Sequence, residues 1–319
     1  MRHTNLVRTA VVLIVLSLVA MAAAQPRPTE SGFIQVEPDV RLFYQRFGTG
    51  TPVLFTPMRI EMVVTLAPLL ERIDAVLWDA RGFGLSDRPD DFDRVGLAYE
   101  LSDAETIREH FGADRVYYLG GSLWGPTAML YAARHPSAVA GAIAMAPFAI
   151  EAGLMGPPDH PIVHDVSDAA AELEAMRADG RDRTMAYDYC VLDMQVGFAD
   201  SYVDLSNIAL LEAANWCQYE NMHPDNVLPL VFEGLIGSWG DWNWREELSA
   251  AQPPVLLLYG DHEAWALAGV RAYTEVVPNI GWREFEDVGH HVWNERNDEV
   301  VAMIETFLTG AWPAGVERR

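Results

Sequence analysis

Lysine is absent from this 319-residue chain, and all 22 of its Lys-plus-Arg positions are arginine. A lysine Schiff base and a Ser/Lys dyad are therefore excluded, because both need a primary amine. The missing lysines fit either a coding bias or an adaptation to salt. Positive charge is scarce as well: 46 acidic residues against 22 arginines leave a net charge of −24. Nucleic acid and anionic membrane surfaces both call for an excess of positive charge, so neither is an expected partner. Cysteine is nearly absent, with Cys190 and Cys217 the only two. No cluster of ligand-type residues stands out for a metal, and no metal or organic cofactor is expected. Nor are there internal repeats or long low-complexity tracts.

The apolar run from Ala10 to Ala20 is short for a bilayer span of about 20 residues. Arg2 and Arg8 precede it and Ala22-Ala23-Ala24 follow it, which is the layout of a secretory signal peptide, residues 1–24, cleaved after about Ala24. The expectation is a mature chain exported to the periplasm or the extracellular space, with no membrane association after cleavage. No cysteine near the cleavage site offers a lipidation point. An oxidising compartment would permit Cys190 and Cys217 to form a disulfide.

Half of the residues are apolar, ample for one sizeable core with an insertion. Phe33 to Val36 and Val40 to Phe47 alternate in the manner of a hairpin, and Pro52 to Thr56, Ala75 to Trp78, Arg115 to Leu119, Val139 to Ala144, Val255 to Gly260 and Trp282 to Phe285 read as further strands. Helical patterns cover Thr65 to Ile73, Ala98 to Phe111, Pro126 to His135 and Asp168 to Ala178, then Asn207 to Tyr219 and Asp298 to Leu308. Strands alternating with helices predict an α/β fold with a mainly parallel sheet covered on both faces. From about Phe148 to Asn243 the strand rhythm stops. A helical cap over 148–243 is expected there, between a first core half at 25–147 and a second at 244–319.

The stretch Gly120-Gly121-Ser122-Leu123-Trp124-Gly125 joins an apolar strand to a helix, and a serine at such a junction sits on a sharp turn that tolerates only small neighbours. Downstream, the strand ending at Gly260 leads into Asp261-His262-Glu263, and the next leads to Gly289-His290-His291. The order is Ser, acid, His, each on a loop after a strand. A hydroxyl becomes nucleophilic when an imidazole takes its proton and a carboxylate orients that imidazole. Ser122 and His290, which directly follows Gly289, are the candidates, with His291 the lesser histidine. Glu263 is the expected acid and Asp261 the alternative.

Asp79-Ala80-Arg81-Gly82-Phe83-Gly84-Leu85-Ser86 resembles the Asp-x-Arg-Gly-x-Gly-x-Ser loop of α/β-hydrolases. The helix carrying Asp103, Glu105 and Arg108 ahead of Gly120-Gly121-Ser122 resembles the proline iminopeptidase branch. The likeness runs from about Val40 to Leu308. It implies an α/β-hydrolase core with an eight-stranded sheet, an inserted helical cap, and removal of an N-terminal residue from a short peptide whose ammonium group is held by cap carboxylates. Asn215 to Glu220 resembles that cap region, which makes Glu220 the implied ammonium ligand, with Glu212 and Glu233 in reserve. The aromatic residues Trp216, Tyr219, Trp239, Trp242 and Trp244 read as the filling of a cap's small core before they read as a substrate wall.

Two positions depart from the family pattern. Trp124 stands where the second glycine of G-x-S-x-G belongs, a bulky group expected to crowd the elbow and touch substrate. Thr56-Pro57-Met58-Arg59 replaces the His-Gly oxyanion turn. Pro57 has no N–H, so Met58 is the expected second oxyanion donor beside Leu123. The expected activity is that of a serine hydrolase passing through an acyl-enzyme, acting on a short peptide or a small-molecule ester. A binding protein that keeps the fold without turnover is the rival of another class. The sequence does not specify the oligomeric state.

Overall fold

A computed structural model describes residues 26–319, apart from 52, 90, 215 and 219–227. Among the described residues no helix is long and apolar enough to cross a membrane. The region expected to be a signal peptide lies outside them.

Among the described residues nine strands form one sheet: β1 (Glu30–Glu37), β2 (Val40–Phe47), β3 (Leu54–Thr56), β4 (Ala75–Trp78), β5 (Val116–Gly121), β6 (Val139–Met145), β7 (Val255–His262), β8 (Ile280–Gly289) and β9 (Glu317–Arg318). Their spatial order is β1-β2-β4-β3-β5-β6-β7-β8-β9. The run from β4 to β8 is parallel throughout, while the hairpin at one edge and β9 at the other are antiparallel. The central strands are nearly continuous buried apolar runs, as a sheet covered by helices on both faces requires. The ninth strand adds one to the expected eight. It is two exposed residues pairing with Gly281 and Trp282, too short to leave a periodic signal.

A second difference matters for the site. The helix expected over Thr65 to Ile73 is two short ones, α1 (Arg59–Thr65) and α2 (Ala67–Leu70). Pro68, within the first turn of α2, cannot donate to the preceding turn, so one helix stops at Leu66 and another begins. Helicity thus starts directly after the oxyanion turn, with Met58 as a cap whose side chain makes no capping bond. Without a Ser, Thr, Asp or Asn cap the start carried no sequence signal.

The covering helices that concern the site are α3 (Leu97–His110), α4 (Trp124–Arg134), α11 (Leu267–Val276), α12 (Val292–Glu295) and α13 (Asn297–Leu308). Between β6 and β7 the chain forms helices α5 (Ser167–Asp179), α6 (Arg181–Thr184), α7 (Ala186–Gly197), α8 (Ala209–Ala213), α9 (Leu228–Gly237) and α10 (Arg245–Ser249), with 3-10 turns between some of them. A bridge between Glu151 and Asn243 brings the two ends of this insertion together. Where a helix was expected from Asn207 to Tyr219, the chain makes a 3-10 turn, the short α8 and a second turn at Trp216–Gln218. Cys190 on α7 and Cys217 on that second turn are joined by a disulfide, their Cα atoms 5.5 Å apart.

Candidate active site

Ser122 occupies the turn between β5 and α4 with φ +50°, a left-handed conformation that costs a non-glycine residue about 1–3 kcal/mol. Its N–H is anchored to the Met145 carbonyl at 2.9 Å. The neighbours are small because the helix returns directly over the strand. A Cβ on Gly120 would lie 1.9 Å from the Trp124 carbonyl oxygen, and one on Gly121 would press the Met58 methyl at 3.1 Å and the Trp293 ring at 3.2 Å.

The parallel ladder delivers the other two groups. β7 and β8 run side by side to the pair His262–Gly289, with an irregularity after Gly260. A Cβ on Gly260 would meet the Val288 carbonyl at 2.1 Å, so this close approach requires glycine. Glu263 and His290 leave the two strand ends together. The His290 Nδ1 lies 2.7 Å from Glu263 Oε2 and its Nε2 lies 3.0 Å from Ser122 Oγ. A carboxylate facing Nδ1 fixes the proton there, leaving Nε2 to accept from the serine hydroxyl. Glu263 and His290 are buried, and burial pushes the Glu263 carboxyl above its ordinary range against the opposing pull of His290.

The two alternatives fall elsewhere. Asp261 pairs with His262 Nδ1 at 2.7 Å and accepts the Val288 N–H at 3.2 Å, away from His290. His291 is buried and stacked on Tyr202, with ring centroids 4.5 Å apart, and neither of its nitrogens has a hydrogen-bond partner among the described residues. Burial keeps it neutral by driving its pKa well below the usual histidine value.

The oxyanion turn is tied to the elbow through Met58, whose sulfur accepts the Gly121 N–H at 2.9 Å. The Met58 N–H itself points to Thr56 Oγ1 at 3.3 Å, a long contact that an incoming oxyanion can displace. Behind the turn, Arg59 makes a two-pronged ion pair with Asp79, at 2.9 and 2.7 Å, buried on both sides. Asp79 opens the Asp79–Ser86 loop and also accepts the Leu85 N–H at 2.8 Å, and Gly84 at φ +49° leaves room for it. The loop therefore braces the oxyanion turn from below. Arg81 in the same loop pairs with Asp103 at 2.6 and 2.7 Å, and Arg108 with Glu105 at 2.7 Å. The three charged residues of the Asp103–Arg108 motif are structural clasps.

Trp124 does not crowd the serine, contrary to expectation. Its indole is buried and meets Phe83 edge-on, with centroids 5.1 Å apart. The strain expected of a residue bulkier than glycine is avoided because Trp124 is already the first residue of α4, in ordinary helical backbone. With Pro57, Met58, Arg59, Ile60, Glu61, Asp79, Phe83 and Trp216, Trp124 lines a small cavity of about 20 Å³ beside the elbow. Of the expected cap carboxylates, Glu220 lies outside the described residues, as does the side chain of Glu212. Glu233 on α9 is exposed and is not among the residues lining this pocket. Trp239, Trp242 and Trp244 pack on one another, at 5.2 to 5.8 Å between centroids, as a small core.

The sequence reading passed over Glu61. It lies on α1, buried, one oxygen accepting the Trp293 indole N–H at 3.0 Å. Burial pushes its carboxyl up to about 7, with the Trp293 bond and His290 pulling the other way. The one available signal was an acid inside the apolar run Ile60 to Val64. Trp265, edge-on to His290 at 4.5 Å, was also passed over.

A family model described as alpha/beta hydrolase fold matches residues 57–293. A proline iminopeptidase of Lactobacillus helveticus is 23% identical over 255 residues, covering 73% of this chain and 79% of that one. Among solved structures, the proline iminopeptidase of Mycobacterium smegmatis superposes with a TM-score of 0.62 to 0.64 shared by several neighbours, its own being 0.63, at 17% identity over 88% of this chain and 98% of that one. An esterase from Exiguobacterium antarcticum does so with a TM-score of 0.62 at 17% identity, over 88% of this chain and all of the other. The chain belongs to the α/β-hydrolase fold family and is similar to its proline iminopeptidase branch.

Proposed function

We propose that this protein is an exported serine hydrolase that removes an N-terminal residue from short peptides through an acyl-enzyme. The observation that carries the reading is the line Ser122 Oγ–His290 Nε2–His290 Nδ1–Glu263 Oε2, at 3.0 and 2.7 Å. Ser122 attacks the substrate carbonyl as His290 takes its proton, and Glu263 steadies the resulting imidazolium. The tetrahedral oxyanion receives the N–H groups of Leu123 and Met58. His290 then gives its proton to the departing amine, and water repeats the sequence on the acyl-enzyme. Proline iminopeptidases among the relatives support the peptide reading. Export is supported by the apolar stretch at the N-terminus and by the Cys190–Cys217 disulfide.

Ester hydrolysis is the second reading, favoured by the mostly apolar pocket lining and by an esterase among the structural neighbours. The mature chain and its Ser122→Ala variant should be compared on proline and alanine arylamides and on short-chain aryl esters. Arylamide turnover that falls by about 10³-fold or more in the variant supports the peptidase. Ester turnover alone supports the second reading. Absence of both, with no labelling by a fluorophosphonate, overturns the two together.

A further inference from the structure

The loop that carries the catalytic histidine meets the cap at a short clasp built around Glu295. Four successive cap residues, Ser201 to Asp204, join the 3-10 turns Ala199–Ser201 and Leu205–Ile208. Each of the four meets the loop that runs from Gly289 through α12. The Ser201 carbonyl accepts the His291 N–H in a long bond of 3.4 Å. Tyr202 is fully buried, its ring stacked on His291 and its hydroxyl accepting from Asn294 Nδ2 at 2.9 Å. The Val203 and Asp204 N–H groups donate to Glu295, to Oε1 at 3.3 Å and to Oε2 at 2.9 Å.

The same Glu295 carboxylate accepts the Gly289 N–H at 2.7 Å, and Gly289 immediately precedes His290. The N–H groups on either side of the catalytic histidine, those of Gly289 and His291, are thus both tied to the cap, one through the shared carboxylate and one directly to Ser201. The approach is close enough to require glycine, because a Cβ on Gly289 would strike the Ser201 carbonyl oxygen and stand 2.9 Å from Glu295 Oε1. The imidazole of His290 bonds to Ser122 and Glu263 of the core. Its ring is therefore aimed by the core while its backbone is held through the cap. Hydrogen bonds to a carboxylate are about twice as strong as neutral ones, so three N–H groups on one carboxylate fasten this junction firmly.

We propose that Glu295 is a positioning residue: by clasping Val203 and Asp204 of the cap to Gly289 of the histidine loop, it holds His290 at reacting distance from Ser122 only while the cap is seated. The inference rests on the serine-hydrolase reading above and makes the triad geometry conditional on the cap. The Cys190–Cys217 bond pins a different part of the cap, the Trp216 turn, and leaves this strap to its own hydrogen bonds.

Turnover should be measured on the faster of the proline arylamide and the short-chain aryl ester, per active site titrated to completion with a fluorophosphonate, well below the melting temperature. In Glu295→Ala kcat should fall about 10²-fold with KM within a few-fold of wild type, the cost of misplacing a reacting group by about 1 Å. Labelling of Ser122 should slow in step, because the reagent also depends on His290. Glu295→Gln keeps the length and one acceptor, so it should recover part of the loss and stand within about tenfold of wild type. A clasp that only stabilises the fold would lower the melting temperature and the titratable fraction but leave kcat and labelling rate per titrated site unchanged. That result overturns the proposal, as does a rise in KM with kcat unchanged. Amide hydrogen exchange on the wild type gives a reading that needs no variant. Val203, Asp204 and Gly289 share one acceptor and should open together, with a common protection. Cap amides that exchange far faster than Gly289 would mean that the cap lifts without releasing the loop, which overturns the coupling even if neither variant folds. A wild type that neither turns over substrate nor takes the label removes the hydrolase reading, and the positioning role falls with it. An active wild type matched by Glu295→Ala removes the role of Glu295 alone.

Discussion

Asp261, near the end of β7, and Glu263, just past it, stand two residues apart and meet different histidines. The Glu263 carboxylate is buried against His290 Nδ1 at 2.7 Å, while Asp261 meets His262 and the Val288 N–H. Glu263→Gln should lower kcat by about 10³–10⁴-fold, because the amide no longer fixes the productive tautomer or stabilises the imidazolium. Asp261→Asn should stay within a few-fold of wild type. Steady-state kinetics on one substrate checks both, and a large loss in Asp261→Asn would reverse the assignment. The sequence placed Ser, acid and His in order, yet left two acids open, because the irregularity that turns the chain after Gly260 depends on how closely Val288 approaches it. That approach is a tertiary fact with no local code. Glu61 went unnoticed for the opposite reason: it stands in an apolar run, where a single acid reads as the solvent face of a helix until packing shows that the helix has none.

At the scale of elements, the cap and the pocket helix share one apolar cluster. Ile60 of α1 packs with Cys190 and Met194 of α7 and with Leu211, Trp216 and Cys217. The disulfide closes a loop with a sequence separation of 27, pinning the turn that presents Trp216 to the pocket. A loop of that size corresponds to about 3.5 kcal/mol of constraint on the unfolded chain. The Cys190→Ser, Cys217→Ser double variant should therefore melt several degrees lower, with its cap cleaved first under limited proteolysis. Its KM should rise more than its kcat falls, since the triad sits on the core strands and only one pocket wall loosens. An unchanged KM would mean that the Trp216 wall is held by packing alone. Periodicity revealed the sheet well, because buried parallel strands are long apolar runs. It revealed the cap poorly, because helices as short as α8, broken by 3-10 turns, never complete a periodic face.

Across the whole molecule, the excess of 46 acids over 22 arginines sets a repulsion that no single contact removes. The arginines divide into two groups. Arg59 and Arg81 are buried in two-pronged pairs with Asp79 and Asp103, and salt barely reaches them. Pairs such as Arg72–Glu305, Arg134–Glu247 and Arg271–Glu284 lie partly in solvent and contribute little, about 0–1 kcal/mol each, so screening them costs little. The unpaired acids repel over distances that shrink from about 10 Å at 0.1 M salt to about 3 Å at 1 M. Relief of repulsion should therefore exceed loss of attraction, and the melting temperature should climb as sodium chloride rises from 0.05 to 1 M. Most of that rise should come by the first few tenths molar, since screening of charges at surface spacing is then largely complete. Repeating the scan with sodium sulfate at equal ionic strength separates the two effects of salt, because sulfate also strengthens apolar burial and should add a further increase. A melting temperature that falls with sodium chloride would mean that surface ion pairs outweigh the net charge, and that the all-arginine complement is arranged as a network rather than as isolated pairs.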